Sequence, residues 1–295
     1  MSRWWSATVG AGREDLEPAA DLLYAVGAAG IEFEDGVPVH APWTDESLNP
    51  GPVFVRAYYP DDERWPDRHR RLAAAADRHH WPLAVRAVQE EDWALAWRAY
   101  YHAVRPGRRL WVVPAWEEPA ADVDPRLVIR LDPGMAFGTG THATTAMMLR
   151  LVEDRVGPGQ RWLDVGTGSG ILALGAWRLG ALVTAVEPDP VACRQATANF
   201  ERHGAPIPLL EGTLAQVPGG SRYDGVMANL TAGLLIQEMG ALVDHAEPGG
   251  WLLLSGIVLS RESSVHSALR RHQVRCLDRL VEGGWVALAG RVAAR

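Results

Sequence analysis

The sequence predicts an α/β protein: a doubly wound, mostly parallel sheet of seven strands, preceded by a smaller α+β domain. Three observations carry that expectation. From about residue 110, short apolar strands alternate with helical segments, a pattern that needs a parallel sheet covered on both faces. A glycine-rich turn, Gly166-Thr167-Gly168-Ser169-Gly170, sits where the first of these strands meets a helix. Residues 3–88 follow another rhythm, strand–helix–strand and again strand–helix–strand.

Within that first region, Arg3 to Val9 is a Trp-rich alternating strand. Glu14 to Ala28 spaces Leu16, Ala20, Leu23 and Val26 as an amphipathic helix that glycines 27 and 30 end. Ile31 to Glu34 and Val53 to Tyr59 read as strands, Pro66 to His80 as a helix, and Leu83 to Val88 as the closing strand. This split βαβ pair is a ferredoxin-like domain over residues 1–88. A connector covers 89–106, where Trp93 and Trp97 lie four apart and share one helical face. Packing onto a neighbour is the ordinary use of such a pair.

The third region, 107–295, begins with strands Leu110 to Val113 and Leu127 to Leu131, then a glycine-bearing loop and the helix Thr144 to Val156. Strands Trp162 to Val165, Val183 to Glu187, Pro208 to Leu210, Tyr223 to Ala228 and Trp251 to Ser255 follow, with helices over 170–179, 190–203, 232–246 and 261–272 between them. Strands 274–281 and 285–292, joined by Glu282-Gly283-Gly284, form a hairpin that inserts an antiparallel member. The sheet is Rossmann-like, and an ending of this kind is typical of S-adenosylmethionine-dependent methyltransferases.

Composition excludes several classes. The 47% hydrophobic and 22% charged content is that of an ordinary soluble globular protein. No run approaches the roughly eighteen apolar residues of a membrane span. Met1-Ser2-Arg3-Trp4-Trp5 carries no secretory signal, so a cytoplasmic location is expected. Cys193 and Cys276 are far apart with no CxxC pair, which predicts reduced thiols and no metal site. A formal charge of −7 argues against an extended nucleic-acid surface and is compatible with a basic protein partner. All 29 basic residues are arginine, a bias that a GC-rich genome produces.

The chemistry gathers at the strand ends. In Leu163-Asp164-Val165-Gly166-Thr167-Gly168-Ser169-Gly170, glycines let backbone approach a ligand and the helix N-terminus offers unpaired N–H groups. Dinucleotide sites use a similar turn. Here the order is GxGxG with an acid in front, and Asp164 suits a cofactor's ammonium group, reached through water or backbone. Glu187 ends the second strand, where a carboxylate can accept from both ribose hydroxyls. Asp189, before Pro190, reads as a helix N-cap. Thr144 and Thr145 open a helix that their hydroxyls can cap, or they can face the ligand. His142 is either a base or a capping or packing residue, the latter being commoner beside threonines. Asn229 ends the fourth strand at the switch point, where its amide oxygen can accept a hydrogen bond from an attacking amine. The same asparagine can also serve as a helix N-cap, a role that does not exclude the first.

These residues together resemble the methyltransferase family that modifies protein L-eleven of the large ribosomal subunit. The specific part is Glu91-Asp92-Trp93 with Trp97, then Leu131-Asp132-Pro133-Gly134-Met135-Ala136-Phe137-Gly138-Thr139-Gly140-Thr141-His142 with Thr144-Thr145, Asp164 to Gly170, Ala228-Asn229-Leu230, Ser255-Gly256-Ile257 and Glu282-Gly283-Gly284-Trp285. The resemblance implies S-adenosylmethionine as cofactor, held by Thr145, Gly166, Glu187 and Asn229, with Phe137 and the 138–142 loop, Gly138 included, closing over it. Thr144, Asp164 and Gly168 complete the expected cofactor contacts, and Asn229 is the expected catalytic residue. Relatives usually carry Asp where this chain has Glu187, a change that keeps the carboxylate. The resemblance further implies an N-terminal domain that presents the ribosomal protein, whose lysine and N-terminal amines are methylated, and a monomer with no direct nucleic-acid or membrane partner. The chain itself has no lysine to methylate.

A lysine amine has a pKa of about 10.4, so fewer than roughly one in a thousand is neutral at pH 7. The site must desolvate the amine and let its proton leave, and no residue is an obvious base. Rival expectations are a methyltransferase of another protein or of a small-molecule amine, a non-catalytic ribosome-assembly module, and an NAD-dependent enzyme. Glutamine-modifying methyltransferases end the fourth strand with Asn-Pro-Pro-Tyr, whereas Asn229-Leu230-Thr231-Ala232 stands here.

Overall fold

The computed structural model describes residues 3–12, 15–28, 30–35, 53–89, 102–131 and 142–294. The expected connector tryptophans Trp93 and Trp97, and the loop carrying Phe137 and Gly138, lie outside the described residues. The chain divides into two compact units, residues 1–101 and 102–295.

The first unit is built from β1 (Arg3–Ala11), α1 (Leu16–Ala25), β2 (Gly30–Asp35), β3 (Val53–Pro60), α2 (Trp65–His79) and β4 (Leu83–Gln89). Its sheet runs β2-β3-β1-β4, every pair antiparallel, which is the ferredoxin-like order. Ala7, Val55, Ala57 and Tyr59 on the strands and Leu23 and Leu72 on the helices are buried, as a two-layer packing requires. Tyr59 donates its hydroxyl to the Leu23 carbonyl at 3.1 Å, so this buried phenol is satisfied.

The second unit opens with β5 (Trp111–Pro114) and β6 (Val128–Leu131), a parallel pair. Val104 bridges Val112, which ties the residues after 101 to this unit. Then follow α3 (Ala143–Arg155), β7 (Arg161–Val165), α4 (Ile171–Arg178), β8 (Leu182–Glu187), α5 (Pro190–His203), β9 (Leu209–Glu211), β10 (Tyr223–Asn229), α6 (Ala232–Asp244), β11 (Ala246–Val258), α7 (Glu262–Arg271), β12 (Val274–Glu282) and β13 (Trp285–Val292). The seven-stranded sheet has the order β12-β13-β11-β10-β7-β8-β9. Only β13 runs antiparallel, inserted between β11 and β12 as the Glu282-Gly283-Gly284 hairpin predicts.

β7, β10 and β11 are nearly continuous apolar runs, with Leu163, Val226, Met227, Leu252 and Leu253 fully buried. Both faces are therefore covered. β11 is longer than the expected Trp251 to Ser255. Pro248-Gly249-Gly250 reads as a turn, yet the strand starts at Ala246, opposite Tyr223, and the register shift before Gly225 absorbs the extra residues. Among the described residues no helix is long and apolar enough to cross a membrane, and no group of three His, Cys, Asp or Glu could hold a metal ion.

Candidate active site

Strand register brings three tips to one edge. Val165 of β7 lies opposite Val186 of β8 and Ala228 of β10, and Asn229 lies opposite Ser255 of β11. β8 and β9 extend the sheet on one side of β7 and β10 on the other, so this edge is the switch point where crossovers diverge and a crevice opens.

The turn after β7 is fixed from below. Asp164 is 1% exposed, and its Oδ2 accepts from the Thr167 hydroxyl at 2.6 Å and from the Ala173 N–H at 3.1 Å. It thereby caps α4, which has only Gly170 at its own N-cap position. Sequence predicts unpaired N–H groups at the N-terminus of the following helix; in the turn itself several N–H groups find partners within the protein. Gly166 and Thr167 both donate to the Val186 carbonyl, Gly168 to Glu187 Oε2, and Gly170 to the Thr167 carbonyl. A phosphate cradle needs such N–H groups aimed at the ligand, so a turn that spends them internally argues against a dinucleotide. Gly166 sits at φ 69°, and a Cβ there would approach Leu230 Cδ2 to 2.5 Å, so the backbone is open only because the side chain is absent.

Glu187 is 8% exposed, with Oε2 accepting from Gly168 at 2.9 Å and Oε1 from the Asp189 N–H at 3.0 Å. Each oxygen keeps a second lone pair for a ribose hydroxyl. Burial raises the Glu187 pKa, against the lowering effect of these two N–H groups. Burial likewise pushes the Asp164 carboxyl up to about 7, opposed by its Thr167 and Ala173 bonds and reinforced by the charge of Glu187. Two desolvated carboxylates in one site favour a cationic ligand.

The Asp164 shift makes stability depend on pH. Its folded pKa lies above the ordinary 3.8, so between about pH 4 and 7 the folded chain holds a proton that the unfolded chain has released. The stability this group contributes is full below that window and is lost as pH rises through 7. Asp164→Asn keeps an acceptor for Thr167 and Ala173, so the variant should gain on the parent by the order of 2 kcal/mol between pH 5 and 7.5, read from urea unfolding. An equal difference at both pH values would contradict the shift.

At the β10 tip, Asn229 is half-buried, and its Nδ2 donates to Thr144 Oγ1 at 3.4 Å. Thr144 and Thr145 are buried on the first turn of α3. Asn229 does not cap α6: Thr231 does, accepting from the Leu234 N–H. Nor do the threonines cap α3; the His142 ring accepts from the Thr144 N–H at 3.3 Å. Asp189 caps α5 through the Val191 N–H at 2.9 Å, as its place before Pro190 predicts. Thr145 Oγ1, Asp164 Oδ1 and Asn229 Oδ1 are buried atoms with no hydrogen-bond partner among the described residues. Asp164 and Asn229 belong to the neighbouring strands β7 and β10 and Thr145 to the first turn of α3, and such orphaned polar atoms are what a polar ligand would satisfy.

Two further residues, not predicted from sequence, support the site. Asn199, 1% exposed on α5, donates from Nδ2 to the Ser169 carbonyl at 2.8 Å and props the turn. Its signal was a polar residue on the buried face of an amphipathic helix. Ser255 is fully buried and donates to the Val286 carbonyl at 3.0 Å. The next residue, Gly256, has φ 83°, and a Cβ there would land 2.2 Å from the Leu230 carbonyl oxygen, which immediately follows Asn229. Gly256→Ala should therefore cost about 2–3 kcal/mol in urea unfolding, from left-handed strain plus a backbone clash. An unchanged midpoint would mean that Leu230 moves aside at no cost.

A doubly wound sheet with this strand order, a glycine turn whose N–H groups are largely engaged within the protein, two buried carboxylates and an unpartnered amide oxygen at the β10 tip are the marks of the class of S-adenosylmethionine-dependent methyltransferases. A family model described as ribosomal protein L11 methyltransferase (PrmA) matches residues 3–293. The chain is 40% identical to the ribosomal protein L11 methyltransferase of Pelotomaculum thermopropionicum, covering 99% of both chains. It is 39% identical to that of Symbiobacterium thermophilum, over 94% of this chain and 95% of the relative. Among solved structures it is similar to a ribosomal protein L11 methylase from Lactobacillus delbrueckii subsp. bulgaricus, with TM-score 0.61 and 31% identity over 65% of this chain and all of that one. The chain belongs to the ribosomal protein L11 methyltransferase family.

Proposed function

We propose that this protein methylates amines of ribosomal protein L11, its lysine side chains and N-terminal α-amine, using S-adenosylmethionine. The observation that carries the reading is the Asn229 amide oxygen, buried without a partner at the switch-point edge. When bound, S-adenosylmethionine supplies an electrophilic methyl group on a positively charged sulfur. Thr145, Gly166, Glu187 and Asn229 hold it, with Asp164 and Gly168 shaping the turn, and the family resemblance adds Phe137 and Gly138 to the contacts. Glu187 accepts from its ribose hydroxyls, and the Asp164 and Glu187 carboxylates suit its cationic groups. Asn229 Oδ1 accepts an N–H of the substrate amine and aims the nitrogen lone pair into the crevice. The amide cannot take the proton, which leaves to water.

Charge distribution supports a basic partner. Residues 1–101 hold 17 acidic and 10 basic side chains, whereas residues 102–295 hold 19 of each. The net charge thus lies in residues 1–101, most of it in the ferredoxin-like part, which presents the ribosomal protein and draws it by long-range attraction. Residues 89–106 serve as the connector. The enzyme acts as a cytoplasmic monomer without contact with nucleic acid.

The test is mass spectrometry of purified L11 after incubation with the protein and methyl-labelled cofactor. Methyl increments on lysine-bearing peptides and the N-terminal peptide are expected. L11 left unmodified while another amine is labelled would overturn the substrate, and cofactor binding with no transfer to any ribosomal component would make the protein a non-catalytic module.

A further inference from the structure

Asn229 can present either end of its amide to the crevice, and only the oxygen would serve an amine. What selects the oxygen lies behind it, on the first turn of α3. His142 caps that helix through Nδ1, which accepts the Thr144 backbone N–H at 3.3 Å. An Nδ1 that accepts carries no proton. The same Nδ1 lies 2.8 Å from Thr144 Oγ1, so the hydroxyl is the donor of that pair. Its single proton is then committed to His142, and toward Asn229 at 3.4 Å the hydroxyl oxygen can only accept. Asn229 must offer its NH₂ to Thr144, which turns Oδ1 the other way, where it has no partner among the described residues. The ring that starts this sequence is itself seated: Trp285, 5% exposed at the start of β13, meets it edge to face with centroids 5.1 Å apart. The Glu282-Gly283-Gly284 hairpin thereby acquires a use, since it delivers Trp285 to His142.

We propose that His142 and Thr144 are positioning residues that orient the Asn229 amide, so that Thr144, expected from sequence as a cofactor contact, acts through Asn229 instead. The inference rests on the reading of Asn229 as the acceptor for the substrate amine. Without the Thr144 oxygen, the amide loses the contact that distinguishes its two ends, and its NH₂ can face the amine.

Three variants separate this from packing. Thr144→Val keeps shape and removes the hydroxyl; it should lower kcat about tenfold while the dissociation constant for S-adenosylhomocysteine stays within about twofold. Thr144→Ser keeps the hydroxyl and loses a methyl, and it should restore most of the turnover. His142→Phe keeps a ring against Trp285 without an acceptor and should lower kcat in the same sense. A packing role predicts the reverse order, with Val tolerated and Ser impaired, and that order would overturn the proposal. So would a Thr144→Val loss that appears equally in ligand affinity, which would return Thr144 to the cofactor. In an Asn229→Ala background Thr144→Val should cost nothing further, because coupled residues are not additive. Full additivity there overturns the relay alone, whereas an Asn229→Ala enzyme with unchanged turnover overturns the underlying reading.

Discussion

Replacing Asn229 by alanine should lower turnover by about a hundredfold or more while leaving affinity for S-adenosylhomocysteine within about threefold. The asymmetry follows from what the side chain touches. Its Nδ2 donates to Thr144 and its Oδ1 is buried with no partner among the described residues, so on the proposed reading alanine removes chiefly an acceptor for the incoming amine. A desolvated amine without that acceptor loses both orientation and stabilisation of the charge that builds on nitrogen. Helix α6 should not suffer, because Thr231 and not Asn229 caps it. Unfolding of the variant should accordingly track the parent. Single-turnover rates beside calorimetric binding give the two numbers. A collapse of ligand binding with turnover intact would assign Asn229 to the cofactor alone.

Glu187→Ala should do the reverse, weakening S-adenosylhomocysteine binding by roughly 10- to 100-fold, the effect of about 1.5–3 kcal/mol for hydrogen bonds to a charged acceptor. Part of that loss is indirect. Glu187 also accepts from the Gly168 and Asp189 N–H groups, so its removal unties the glycine turn from the β8 tip as well as from the sugar. Glu187→Gln retains one acceptor oxygen and should fall between parent and alanine variant. Calorimetric titration with S-adenosylhomocysteine decides it, and an unchanged dissociation constant for the alanine variant would remove Glu187 from the site.

The strand tips were legible in the sequence because apolar runs ending in Gly166, Glu187 or Asn229 mark both the end of a buried strand and the start of its chemistry. Local capping was legible too, since Asp189 before Pro190 and His142 before α3 act within two or three residues of themselves. What spans the chain was not. Thr144 and Asn229 lie 85 residues apart, and that Thr231 rather than Asn229 caps α6 is revealed only by the geometry of that helix. The internal use of the N–H groups in the turn was hidden because the same glycine pattern serves phosphate sites, and the difference is the Val186 and Glu187 acceptors opposite. The early start of β11 was not legible, because its pairing with β10 from Ala246 carries the strand through Pro248-Gly249-Gly250.

The proposed function requires a cationic ligand seated at the edge formed by β7, β8 and β10. A crystal structure in complex with S-adenosylhomocysteine tests that directly. The prediction is density over the Gly166–Gly170 turn, with the Glu187 carboxylate on the ribose and the Asn229 amide oxygen directed at the space beside the sulfur. Density elsewhere in the fold, or a ligand whose sugar and sulfur lie out of reach of both residues, would contradict it.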